Sequence, residues 1–389
     1  MKCLSLFSTT RRIVVGLFFG LALCFALSAP VLAFPQEAAS DSKQFIVFDA
    51  PGAGTGFFQG TYATYINNSG ELLGYLQDSN NAFHAFLRRA DGTFLTFDAQ
   101  GAGAGAFQGT FAPGILPDGF NDRGDVAGQY VDANNITHSF IRAKDGAITT
   151  FDAPESVAGS FADGISNCGA AVGGANGANF VYHAFVRNEI GVFTVFDAPD
   201  AGVGGTALRY QGTFATGVNA ENEIIGVYID SANLQHGFLR DKGGALMEFQ
   251  VPAADGSILA YPFSVNNNRE ISGFYMDSNS AFHGFLRKRD GTLITFDVPG
   301  AGTAAFEGTS PYVINSGGDI AGFWVDANSV DHGFVRKKDG TIVTFDVPAA
   351  GSAPGQGTFP VGINDAGDIV GDFVDANNVI HGFLLLHQN

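Results

Sequence analysis

The residues best suited to chemistry recur at a fixed spacing. Asp and His stand six apart at Asp78/His84, Asp132/His138, Asp230/His236, Asp277/His283, Asp326/His332 and Asp375/His381, and His183 occupies a seventh equivalent position without the Asp. A carboxylate beside an imidazole can serve acid–base catalysis or bind a metal. Repetition argues for a structural role, because an active site needs one copy. Each pair is therefore expected to close a hairpin loop with a hydrogen bond. Imidazoles on separate repeat units would not converge on one metal. The loop Asp residues, with Asn80, Asn134, Asn279, Asn328 or Asn377, offer hard oxygens of the kind Ca²⁺ takes, in smaller number than an EF-hand supplies. No cofactor is expected, and Ca²⁺ is the one ion these loops suggest.

Other motifs carry less. The dipeptide Phe-Asp recurs at Phe48-Asp49, Phe97-Asp98, Phe151-Asp152, Phe196-Asp197, Phe296-Asp297 and Phe345-Asp346, with Phe249-Gln250 filling the gap. These carboxylates are expected to accept backbone hydrogen bonds or to pair with a nearby Thr. The stretches from Gly52 to Gly56 and Gly101 to Gly105 resemble phosphate loops, but no Lys or helix follows them, so they read as connectors. There is no Gly-x-Ser-x-Gly elbow and no His-Glu-x-x-His. Cys168 is expected to be a buried apolar residue. Departures from the repeat mark where a single specialised pocket would lie: Asp118, Arg209, Tyr210, Asp255 and Tyr261 are the candidate binding residues.

The elements that position these residues follow from the repeat. Successive Phe-Asp (or Phe-Gln) sites fall 45 to 54 residues apart. Within the last copy, Phe359–Asn364 reads as a first strand, the segment around Gly367 as a turn, Ile369–Val374 as a second strand and His381–Leu386 as a third. Lys338-Asp339-Gly340-Thr341 in the preceding copy is a tight turn into a fourth strand, Ile342–Phe345. Asp-Gly flanked by β-branched and aromatic residues is a strong hairpin signal. Pro after the fourth strand ends it, since Pro cannot donate to a ladder. Four short strands per repeat of about 50 residues is the pattern of a β-propeller blade.

The chain ends decide between ring and solenoid. The last copy lacks a fourth strand, whereas Gln44–Phe48 is an extra fourth strand ahead of any first one. The counts balance when the two share a blade, which removes open edges. The expectation is an all-β, seven-bladed β-propeller over residues 44–389, with an open β-solenoid as the alternative. Its second-to-third and fourth-to-first connections are long and share one face, and loops are where function is expected.

Residues 1–33 read as a signal peptide. Lys2, Arg11 and Arg12 precede an apolar run from Ile13 to Leu27, and Val31-Leu32-Ala33 forms a small-residue cleavage site. Residues 34–43 are then a short linker. Thr10-Arg11-Arg12 loosely resembles a twin-arginine signal. Cleavage removes three positive charges from a net −18 and leaves −21, with Cys168 as the one remaining cysteine. That excludes an internal disulfide and a Cys-based zinc site. So acidic a chain is repelled by phosphate backbones, which excludes nucleic acid as a partner.

The segments His84-Ala-Phe-Leu-Arg88 and His332-Gly-Phe-Val-Arg336, with the Ile-Asn-x-x-Gly-x-Ile-x-Gly stretches, resemble the HAF-type extracellular repeats of exported bacterial proteins. The resemblance implies an exported, periplasmic or extracellular repeat protein. The functional expectation is a binding or scaffold module for an envelope or extracellular protein or glycan, without a membrane attachment after cleavage. The alternative is a glycosidase or lyase at the mouth of the ring.

Overall fold

The computed structural model describes residues 44–112, 119–206, 210–251 and 260–387. The leader and linker expected before residue 44 lie outside them. The described residues form strands with one 3₁₀ turn, Ala178–Phe180. The first complete unit shows the plan. Strands β2 (Gly60–Ile66), β3 (Leu72–Gln77), β4 (Phe83–Arg88) and β5 (Phe94–Phe97) pair antiparallel in sequence order. A β-bulge between Ala63 and Tyr65 bends the first strand, and the same bulge recurs in the first strands of later units.

Antiparallel order puts the first-to-second and third-to-fourth turns at one end of each unit. The second-to-third loop and the connector to the next unit share the other end. Six connectors lead into a short parallel pair or bridge that ties neighbouring units together, as at Phe83↔Gly109 and Asp331↔Gly357; among the described residues none leads into Ala260–Val265, and the sheet is interrupted there. Gly60, at φ +134°, makes the same pair with Ile380, and a Cβ there would lie 1.9 Å from the Ile380 carbonyl oxygen. Only glycine fits that approach.

The terminal strands meet. β1 (Gln44–Phe48) pairs antiparallel with β28 (Ile380–Leu386), from Gln44↔Leu386 to Phe48↔Gly382. It stands beside β28 as β5 stands beside β4.

The core sits between units. Phe86 is fully buried over Gly74 of the second strand, where a Cβ would lie 2.6 Å from the ring. Phe140 over Gly128 and Phe238 over Gly226 repeat this packing. Each buried ring contributes roughly 1.5–3 kcal/mol. The arginine ending each third strand stacks on the Phe-Asp phenylalanine of the preceding unit. Arg88 lies over Phe48, Arg142 over Phe97, Arg187 over Phe151, Arg240 over Phe196 and Arg336 over Phe296, at 4.6 to 5.0 Å. Arg287 lies over Phe249, in the unit that ends in Gln, at 5.2 Å. Burial lowers the pKa of these guanidinium groups. The last unit has Leu385 in place of the arginine, packed with Phe345 and Phe45.

Candidate functional site

The histidines line the long-loop end, one at the start of each third strand. Their hydrogen bond does not go to the loop Asp six residues earlier. Nδ1 instead faces the Phe-Asp carboxylate fourteen residues later: His84–Asp98, His138–Asp152, His183–Asp197, His283–Asp297 and His332–Asp346, at 2.8 to 3.0 Å. His381 reaches Asp49 at the other end of the chain, at 2.9 Å. An ionised carboxylate only accepts, so Nδ1 carries the proton. Strand register explains the partner. Ala85 pairs with Phe97, which sets His84 across from Asp98.

The loop Asp closes its loop by itself. Asp78 Oδ1 accepts from the backbone N–H of Asn80 and Ala82, both at 2.8 Å. Asp132, Asp230, Asp277, Asp326 and Asp375 do the same with the equivalent N–H groups. Its second oxygen stands 3.6 to 3.9 Å from Nε2 at His84, His138, His283, His332 and His381, an ion-pair rather than hydrogen-bond distance. His236 is the exception. Gln250 replaces the usual Asp there, and Nε2 bonds Asp230 at 3.1 Å.

Five of the imidazoles also stack on an aromatic ring of the second strand: Tyr130, Tyr228, Tyr275, Trp324 and Phe373, with centroids 4.3 to 5.1 Å apart. Burial pulls the His332 pKa down, but Asp346, Asp326 and Asp331 outweigh it and the value is raised. Asp375 is lowered although burial opposes this, because Val379 and Asn377 donate hydrogen bonds to it. The loop oxygens are thus engaged by their own loops. Among the described residues no group of three or more His, Cys, Asp or Glu is placed to hold a metal ion.

Of the candidate pocket residues, Asp118, Arg209 and Asp255 lie outside the described residues. Tyr210 is half-buried against Phe180 and Tyr182. Tyr261 belongs to another unit, stacked on Phe274 at 4.9 Å, and burial raises its phenol pKa. Cys168, expected to be buried, is exposed. It sits in the turn closed by the Gly169 N–H on the Ser166 carbonyl, between two strands rather than within one.

The structure also forms a cavity that sequence reasoning missed, at the tight-turn end. Seven first-to-second turns converge there on an opening of about 180 Å³. Its inner layer is asparagine. Asn67 accepts from the N–H groups of Ser69 and Glu71, and Asn121, Asn219 and Asn266 repeat the turn. Asn219, Asn266 and Asn315 each donate to a backbone carbonyl of the following unit at 3.1 Å. At the mouth, Asn68 Nδ2 donates to Asp122 at 3.2 Å and to Asp365 at 3.0 Å. The two carboxylate oxygens therefore lie no more than about 6.2 Å apart. The repeated Ile-Asn-x-x-Gly was the available signal, but it reads locally as a tight turn and nothing more.

No family profile matches the sequence, and no curated protein is similar to it. The structure is similar to a streptogramin B lyase, at 14% identity and a TM-score of 0.55, covering 88% of this chain and 98% of that one. It is similar to the β-propeller domain of the Trilobed protease from Pyrococcus furiosus, at 8% identity and a TM-score of 0.51, covering 85% and 94%. It is also similar to the BP39L lectin from Burkholderia pseudomallei, at 10% identity and a TM-score of 0.52, covering 87% and 96%. At such identities the likeness concerns the fold alone, and that fold is an all-β propeller.

Proposed function

We propose that the chain is an exported, seven-bladed propeller of the HAF-repeat type, closed by β1 on β28, that binds a protein or glycan through its long-loop face. One observation carries the reading: charge is segregated between the two faces. Every Lys and Arg among the described residues sits at the end of a third strand or in a tight turn, from Arg88 and Arg89 to Lys337 and Lys338. The opposite face holds the loop Asp and Phe-Asp carboxylates with all seven rim histidines. A face whose described residues hold no Lys or Arg favours a partner that presents positive charge, such as a basic protein patch or an amine-bearing glycan. The test is a binding panel of envelope proteins and polysaccharides at low and high salt. Saturable binding that weakens with salt is expected. A panel without saturable binding, or with binding indifferent to salt, would overturn the reading.

The hub cavity favours a second reading, a glycosidase or lyase at the mouth of the ring. Asp122 and Asp365 lie at most about 6.2 Å apart through their shared donor Asn68, an upper limit that admits the roughly 5–5.5 Å of a retaining pair. If Asp122→Asn and Asp365→Asn leave every detectable polysaccharide-cleaving activity intact, this reading fails.

A further inference from the structure

Six of the seven rim histidines have a loop carboxylate beside Nε2. The seventh, His183, does not, because position 177 is glycine. The loop itself is of the same kind: the Gly177 N–H bonds the Val181 carbonyl at 2.9 Å, just as the Asp78 N–H bonds that of Ala82. Backbone geometry does not require this glycine. Its φ is −80°, a conformation open to any residue. What crowds a side chain there is the imidazole together with the Val181 carbonyl oxygen, 2.9 Å from where its Cβ would stand. A Cβ at position 177 would lie 2.9 Å from Nε2 and 2.8 Å from Cδ2 of His183.

A second substitution removes the stacked ring, although the His183 side chain, 23% exposed, is no more open than that of His283 at 23% or His84 at 32%. Ala175 pairs with His183 at the register where other units place Tyr130, Tyr228, Tyr275, Trp324 or Phe373. The third partner is kept: Asp197 holds Nδ1 at 2.8 Å. The loop beyond Gly177 is also unusual. Asn179 and Phe180 both have φ near +57°, and Phe180 is 41% exposed. Such strain collects at functional sites.

We propose that His183 and Asp197 form the one proton-accepting dyad of the rim, a site for a hydroxyl-bearing ligand whose O–H points at Nε2. Asp197 fixes the proton on Nδ1, so Nε2 carries the lone pair, beside Gly177 and in a side chain 23% exposed. The ligand O–H donates to that lone pair. If the proton transfers, it leaves the oxygen as alkoxide and the ring as an imidazolium held by Asp197, with no other bond made or broken. The inference rests on the long-loop face being the binding side and adds a ligand class to it.

The test uses the full-length protein and diethylpyrocarbonate at pH 6.5, followed histidine by histidine by mass spectrometry. The reagent acylates an unprotonated imidazole nitrogen and releases ethyl carbonate, which breaks down to ethanol and carbon dioxide. Because no carboxylate stands beside its Nε2, whereas one lies 3.1 to 3.9 Å from Nε2 in the others, His183 should react several-fold faster than the six other rim histidines. Exposed His387 serves as the reference. Gly177→Asp should bring His183 to within about twofold of its counterparts, and Gly177→Ala should slow it by crowding Nε2. Unchanged rates at the other six report that each variant is folded. A wild-type His183 no faster than its counterparts, or one unaffected by Gly177→Asp, would overturn the inference. Neither result bears on salt-dependent partner binding, so the two readings fail separately.

Discussion

Whether the N-terminal strand is an integral part of the last unit can be measured at Phe48. Its ring is 9% exposed and lies flat on Gly382, where a Cβ would meet it at 2.4 Å. The Arg88 guanidinium covers it at 4.9 Å, and Phe94 touches it at 5.9 Å. Phe249 is its counterpart inside the chain: 7% exposed, lying on Gly237 and covered by Arg287 at 5.2 Å. Phe→Ala in a filled core costs roughly 3–5 kcal/mol, and the lost cation–π contact belongs to that loss. Phe48→Ala and Phe249→Ala should therefore destabilise by similar amounts. Phe57→Ala, at a ring 65% exposed, should stay within about 0.5 kcal/mol of wild type. Urea unfolding followed by circular dichroism and by the fluorescence of Trp324 reads all three. A strand that merely rests on the sheet edge would give a different pattern. Phe48→Ala would then cost under about 1 kcal/mol while Phe249→Ala cost the full amount, and that result would refute the pairing of the chain ends as a stabilising element.

Further outcomes follow from the rim and the interblade stacks. Arg336→Ala should lower stability by about 1–3 kcal/mol, through lost packing of its stem as well as the lost contact with Phe296; chemical denaturation measures it. Asp326→Ala removes three loop hydrogen bonds, from the backbone N–H groups of Asn328 and Val330 and from the Asn328 side-chain amide, and should cost about 1–2 kcal/mol, while Asp326→Asn should retain most of that stability. The folded-state pKa of His332 is raised from 6.5, so its contribution is full below the unfolded value and is lost as pH rises through the higher folded one. Melting temperatures should show that dependence above pH 6.5, and His332→Asn should flatten it. Asp375 behaves oppositely: its lowered pKa makes its contribution present above the ordinary carboxylate range and lost as pH falls through the folded value.

Local features of the chain were legible because they are encoded locally. Asp-Gly turns and alternation in β-branched and aromatic residues locate Ile342–Phe345 and Ile369–Val374 to the residue, and the surplus strand Gln44–Phe48 is where the repeat count puts it. The histidine partners were harder. Two constant spacings compete, six residues back to the loop Asp and fourteen forward to the Phe-Asp carboxylate. Only the strand register distinguishes them. The role of the arginines ending the third strands could not be read from the sequence: Arg88, Arg142, Arg287 and Arg336 are buried on phenylalanine and Arg187 and Arg240 half-buried, because a guanidinium can lie flat on a ring that belongs to the preceding unit. The hub cavity has only the repeated Ile-Asn-x-x-Gly as its local sign, and that reads as a tight turn. Asn68, Asp122 and Asp365 come from turns as far as 297 residues apart, and only the arrangement of the units brings them together.

The same logic explains why departures from the repeat are informative. A repeated residue is held in place by a contact that every unit needs, and its role is structural by default. His183 keeps the contact that orients it, Asp197, and lacks both the loop carboxylate of the six other units and the stacked ring of five of them; His84, opposite Leu76, lacks the ring alone. Random loss would fall on the orienting partner as readily as on the covering ones. The neighbouring unit shows the opposite pattern: Gln250 replaces the orienting carboxylate of His236, while Asp230 and Tyr228 still cover its ring. The two units together separate orientation from access. A reactivity difference between His183 and His236, measured in one sample of one protein, therefore tests which of the two controls the chemistry of the rim.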